Sequence, residues 1–261
     1  MKRSRMLVVV LALLLMTLIP VLASAQSPEK TGSFIIRNRN APGNPLAGAG
    51  IAKATQQLDT AKPVPQAALP SGVAQLLGPA PNTRVGTLLN YKEGFEQVWP
   101  FFPEWVSYDA DGPYNGEYCW GQNDFISFKG DMSIWPAAGC WDGVDPTYYY
   151  YPNDTNSWTD YVMSTMGARK ANVNFRYWNQ SEYGWDYFYW CASVDYWTWY
   201  CDYHTGDTGK WRKGRIDLRY VPGYGSMLNE PAVFIAFGFT SDSIITDDGP
   251  FVDDVRFLLW D

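Results

Sequence analysis

The sequence predicts an all-β protein: a jelly-roll-type antiparallel β-sandwich preceded by a signal peptide and a disordered linker. Three observations predict it. The aromatic residues are segregated, since all 13 Trp, all 18 Tyr and 12 of the 13 Phe lie from Tyr91 onward. In that part no helical periodicity of useful length occurs, whereas apolar and polar residues alternate with the strand period of two. Asn172-Val173-Asn174-Phe175-Arg176-Tyr177 alternates cleanly, and Ala232 to Phe239 does so with small residues interleaved. Turn formers separate the runs at Asn153 to Asn156, Gln180 to Gly184, Gly206 to Gly209 and Thr246 to Gly249. Many short strands with Gly and Asp turns are the pattern of two packed antiparallel sheets, and about 170 residues suffice for one such core.

In chain order, residues 1–25 read as a secretory signal peptide. Lys2, Arg3 and Arg5 precede an apolar run from Met6 to Ile19, and Ala23-Ser24-Ala25 is a small-residue cleavage signature. A retained N-terminal anchor is the alternative; no later stretch approaches the ~20 apolar residues that a bilayer demands. Residues 26–88 are rich in Ala, Pro, Gly, Gln and Thr, with Phe34 as the only aromatic and Glu29 and Asp59 as the only acids. Such a segment buries too little apolar surface to offset the entropy of ordering it, so it reads as a largely disordered linker. Within it, Ser33 to Arg37 has the composition of one short strand without a local partner. Residues 89–261 form the sandwich domain.

Export sets both charge and redox context. Loss of the signal removes three basic residues and no acid, leaving 17 Lys and Arg against 27 Asp and Glu, a formal net charge of −10. A strongly acidic secreted protein repels phosphate backbones and anionic lipid, which argues against nucleic acid and membrane surfaces as partners, and no membrane insertion is expected after signal removal. Four cysteines in an oxidising compartment imply two disulfides. The expected pairs are Cys119 with Cys140 and Cys191 with Cys201; the second suits facing positions of a hairpin that turns near Val194-Asp195-Tyr196.

The run Gly249 to Phe257 is a strand on which the period of two places Phe251, Asp253, Val255 and Phe257 on one face. A carboxylate in line with apolar residues needs a protonated state, a basic partner or a cation. The preceding turn offers only more acid, in Asp242, Asp247 and Asp248, so a calcium ion with oxygen ligands is the expected partner, with Asp254 the substitute ligand if the parity slips by one. The alternative is a solvated acidic loop running into an edge strand.

The aromatic content exceeds what one core requires. With Val173, Phe175 and Tyr177 inward, Asn174, Arg176 and Trp178 face outward; with Phe188 and Trp190 inward, Trp185, Tyr187 and Tyr189 face outward. A six-residue turn from Asn179 to Gly184 is expected to set these strands side by side, merging the outward groups into one patch. Rings flanked by Asn and Arg suit sugar rings, and a flat aromatic strip also suits a protein. The alternative is that another layer, a loop or the linker covers the patch.

The order Phe95-Glu96, Gly130 to Trp135, Tyr151-Pro152-Asn153, Val173 to Trp178, Asp186 to Trp190, Trp211, Ile216 to Leu218, Phe237 to Asp242 and Gly249 to Val255 resembles the β-sandwich domain of immune inhibitor A-type proteins. The likeness spans roughly Leu89 to Leu259. It implies a MAM-like jelly roll without catalytic machinery, and a structural calcium held by an acid of the first strand and an Asp of the last, which here are Glu96 and the Asp253-Asp254 pair. Gly130 to Ser133 would add backbone carbonyls. One departure is that Pro136 follows Trp135 where the family has Cys.

Catalytic alternatives fail on composition. Zinc peptidase chemistry needs two His on one helix, and the chain has His204 alone. No Gly-x-Ser-x-Gly turn presents a nucleophile and no phosphate-cradling Gly loop with Lys occurs. Glu182, Asp186 and Asp217 are conceivable glycosidase carboxylates, but no spacing singles them out. The sequence therefore predicts an extracellular, non-enzymatic binding or adhesion module with a glycan as the first ligand class, a cell-surface protein as the second, and glycoside hydrolysis as the third reading.

Overall fold

The computed structural model describes residues 86–100 and 105–261, together with the backbone of residues 30–37. The segment read as a signal peptide, and the expected linker apart from residues 30–37 and 86–88, lie outside the described residues. Twelve strands and no helix are described: β1 Lys30–Arg37, β2 Thr87–Glu93, β3 Trp105–Asp109, β4 Cys119–Asn123, β5 Ser133–Gly139, β6 Asn156–Met163, β7 Lys170–Gln180, β8 Tyr187–Ser193, β9 Thr198–Thr205, β10 Arg212–Asp217, β11 Val233–Thr240 and β12 Gly249–Trp260. The expected all-β sandwich is the fold. Sheet A runs β1-β9-β8-β11-β6-β3 and sheet B runs β10-β7-β12-β5-β4, with β2 added to β12. All strand pairings are antiparallel. The short strand in the linker finds a distant partner, since β1 extends sheet A along β9.

The core between the sheets is aromatic. Phe175 and Tyr177 of β7 meet Phe188 and Trp190 of β8 across the gap, with Phe175 also edge-on to Phe237 at 4.9 Å. Trp105, Tyr161 and Phe257 close one flank of this layer. Edge-to-face and tilted pairs of this kind contribute beyond their buried area.

Sheet A carries a second aromatic layer on its outer face. Gly238 pairs with Trp158 on one side and Tyr189 on the other, and these two rings stack at 5.8 Å with planes 3° apart. A Cβ at Gly238 would lie 2.3 Å from the Trp158 ring, so the glycine makes room for the indole. Tyr187 continues the stack, and the Cys191–Cys201 disulfide joins directly opposed residues of β8 and β9 on the same face. Cys119 is bonded to Cys140. Both expected pairs are formed.

Sheet B makes room in the same way on its inner side. Gly214 of β10 lies opposite Phe175, and a Cβ there would sit 2.1 Å from the ring. Because Phe175 is buried among four other rings, it has nowhere to retreat. Gly214→Ala should therefore lower stability by about 1 to 3 kcal/mol, the usual range for overpacking, read as a lower urea midpoint at unchanged slope.

Candidate functional site

β12 organises the outer face of sheet B. Along one edge it pairs with β7; along the other it meets β5 at Val252 and then β2 from Val255 onward. The changeover is a β-bulge between Asp253 and Arg256, with Asp254 in the left-handed region at φ 49°. The bulge breaks the parity expected from sequence. Phe251 and Asp253 stand opposite Trp178 and Arg176 and point outward, whereas Val255 and Phe257 point into the core. One extra residue in a strand moves every following side chain to the other face.

Phe251 is nevertheless fully buried, because residues 124–132, the β4–β5 loop, fold over this end of the sheet. Phe251 packs against Phe125, Trp135 and Trp178. Asp253 holds the loop down: its Oδ2 accepts the N–H groups of Phe128 and Lys129, both at 2.8 Å, and its Oδ1 accepts that of Asp254. Burial pushes the Asp253 carboxyl above its usual range while these three donors pull it back. Glu96 grips the same loop from β2's side, accepting the N–H groups of Asp131 and Met132 at 3.2 to 3.3 Å. Gly130 allows that approach, since a Cβ there would lie 2.1 Å from the Glu96 Oε1.

Beyond the loop the outer face stays open as a groove of about 370 Å³ lined by Asn174, Arg176, Lys213, Asp254, Arg256 and Leu258. This is within the range of ligand-binding clefts. Phe128 lies over the Arg176 guanidinium at 4.5 Å and packs against Trp211. Asp254 is neutralised by Lys92 at 2.8 Å, with Arg256 at 3.9 Å. A smaller hollow of about 220 Å³ lies near Trp190, Tyr200, Arg215 and Asp217. There Arg215 is already bonded to Asn172 and Asp217, which also pairs with Arg219.

The expected single patch divides into three places. Asn174, Arg176 and Trp178 lie together on the outer face of sheet B, as expected. Tyr187 and Tyr189 do face away from the core, but on the far side of the sandwich, and they are buried in the second aromatic layer. Trp185 is exposed in the turn between β7 and β8. The reason is that this turn crosses from sheet B to sheet A rather than closing a hairpin. Alternation fixes which side chains face a core; it is satisfied equally by neighbours in one sheet and by strands opposed across two.

The calcium expectation meets a mixed geometry. Glu96 and Asp253 both hold the β4–β5 loop, but the atoms they face there are N–H donors, and Asp254 is taken by Lys92. The partner of the buried carboxylate is the backbone, arranged as an anion-holding nest. Among the described residues, the three acids whose oxygens lie within 4.8 Å of one another are Glu182, Asp186 and Asp242. They knit three loops at one end of the sandwich. Asp186 accepts from the Tyr151 hydroxyl at 2.5 Å and from the Asp242 N–H at 2.8 Å, and Tyr151 N–H reaches Asp247 O. Around these tethers Tyr148, Tyr149, Tyr150, Trp185, Ile244 and Ile245 are exposed. The sequence offered two signals for this meeting place, the acidic turn at Asp242 to Asp248 and the Glu182 and Asp186 carboxylates, whereas Asp217 lies elsewhere, on β10. His204 is buried, with Nδ1 3.3 Å from Asn179 Nδ2 and its ring against Tyr177, in a structural setting.

Solved structures similar to this chain include the K1 cleaved adhesin domain of Lys-gingipain from Porphyromonas gingivalis W83, at 15% identity and TM-score 0.44, covering 65% of this chain and 97% of that one. The family 11 carbohydrate-binding module of Clostridium thermocellum, solved with a β-1,3-1,4-mixed-linked tetrasaccharide, matches at 14% identity and TM-score 0.36, covering 67% and 96%. TmCBM61, solved with β-1,4-galactotriose, matches at 12% identity and TM-score 0.37, covering 64% and 93%. No protein-family model and no curated protein matches the chain.

Two outcomes follow from the carboxylates. Asp253→Ala leaves the Phe128 and Lys129 amides without their acceptor, which should cost about 1 to 3 kcal/mol and raise amide hydrogen exchange first at those two residues. Asp186 is pushed up to about 7 by burial, against the pull of its Tyr151 and Asp242 donors. The folded chain thus holds a proton that the unfolded chain has released, so this contribution to stability is complete below about pH 4 and lost as pH rises through about 7. Asp109, pushed up to about 8 by burial and by Asp111, acts in the same direction. The melting temperature should fall across that window, and Asp186→Asn should flatten the fall.

Proposed function

We propose that this domain is an extracellular, non-catalytic binding module that takes a glycan in the groove on the outer face of sheet B. The observation that carries the reading is the groove itself. Its floor presents Asn174 and Arg176 in alternate positions of β7 and Lys213 opposite Arg176 on β10, with the Phe128 ring packed on Arg176 and Trp211 beside them. Amide, guanidinium and ammonium donors set on one open sheet face suit the hydroxyls of a sugar. The groove's lining holds one carboxylate, Asp254, whereas glycoside hydrolysis uses two. The immune inhibitor A-like resemblance, the export signal and the two disulfides support an extracellular setting, with residues 89–261 as the module on a linker of residues 26–88.

Calcium belongs to this reading on narrow ground: Glu96 and Asp253 hold one loop, and a cation there would stabilise that loop and the groove wall built on it. A second reading, a protein-interaction module, is favoured by the exposed rings of the loop end around Tyr148 to Tyr150 and Trp185.

A glycan array run with calcium and again with chelator tests these together. The expected result is binding that Asn174→Ala weakens about tenfold without moving the melting temperature, because a half-exposed side chain has little packing to lose. A melting temperature that drops in chelator, and no longer does so in Glu96→Ala, is the expected calcium signature. A silent array together with self-association in ultracentrifugation, abolished by Trp185→Ala, would replace the glycan reading with the second one.

A further inference from the structure

The local charge of the groove has the opposite sign to that of the chain. Against an overall net charge of −7, the groove is lined by three cations, Arg176, Lys213 and Arg256, and one carboxylate. That carboxylate is already matched, since Asp254 pairs with Lys92 at 2.8 Å. Asp253, the acid opposite Arg176 in register, spends its oxygens on three backbone N–H groups. Arg176 and Lys213 stand directly opposite each other on β7 and β10, and neither has an ion-pair partner among the described residues. Like charges directly opposite on one sheet face repel, and an anion between them turns that repulsion into attraction. Phe128 covers the face of the Arg176 guanidinium, which orients the group and leaves the edges of its N–H fork for an acceptor.

We propose that the glycan taken by this groove is acidic, with a carboxylate or sulfate of the sugar seated between Arg176 and Lys213. This rests on the glycan reading and adds the chemical class of the ligand. A planar carboxylate meets the guanidinium edge through two parallel hydrogen bonds while the ammonium supplies a point charge from the other side. Confinement matters as well. The basic site is a short groove on an acidic molecule, which fits one or two charged sugars of a chain and disfavours a polyanion whose charge continues past the groove.

The test uses the full secreted chain and two forms of one polymer, polygalacturonate and its fully methyl-esterified derivative, alongside chondroitin sulfate, unsulfated chondroitin, neutral xylan and single-stranded DNA. The expected result is at least tenfold tighter binding of a charged glycan than of its less charged counterpart, weakened several-fold when salt is raised across the range where the Debye length falls from about 10 to 3 Å. Lys213→Gln, on an exposed residue, and Arg176→Gln should each remove at least tenfold of that affinity and most of its salt dependence. Lys213→Gln keeps the test readable if Arg176→Gln loosens the Phe128 loop. Equal, salt-insensitive binding of charged and neutral forms would overturn the inference and leave the glycan reading standing. Binding of none of the glycans would overturn both, and DNA bound as tightly as the charged glycans would overturn the sugar as the source of the anion.

Discussion

The outer face of sheet B depends on a carboxylate in the middle of the last strand. Asp253 stands at the one position where β12 hands its free edge from β5 to β2, and the bulge that makes this exchange possible turns the side chain out of the core. An outward carboxylate on a crowded sheet needs donors, and the β4–β5 loop supplies them through its backbone. With the loop pinned there, Phe125 covers Phe251, Phe128 covers Arg176, and the remaining open surface becomes a groove with defined walls. Bulge, buried acid, loop and groove are one device.

Two glycines show how an aromatic-rich chain packs without overfilling. Gly238 lies under the Trp158–Tyr189 stack and Gly214 under Phe175, so the rings lie flat across a neighbouring strand instead of standing off it. This lets sheet A bury rings on both faces. A domain that is aromatic well beyond the needs of one core thereby uses part of the surplus as a second layer, and twelve rings among the described residues stay exposed.

Charge is segregated between two regions. At one end of the sandwich, Asp186 and Tyr151 tie together loops that carry Glu182, Asp242, Asp247 and Asp248, and burial raises the carboxyls of Glu182, Asp247 and Asp248 above their usual range. On the sheet B face, β10 and β7 bring Lys213 and Arg176 together. Net charge alone describes neither region, which is why an acidic composition is compatible with a cationic binding surface.

The all-β class, the inward sets of β7 and β8, both disulfide pairs, and the outward placement of Asn174, Arg176 and Trp178 were legible in the sequence. Each follows from local alternation or from short spacing along the chain. Tertiary structure alone decided three things. It put β7 and β8 in opposite sheets, because alternation specifies a buried face without naming the strand that covers it. It broke the parity of β12 at Asp254, because a bulge is set by two partner strands of different register and has no period to betray it. It gave the groove its charge, because Arg176 and Lys213 are 37 positions apart in sequence and become opposite neighbours only through the pairing of β7 with β10.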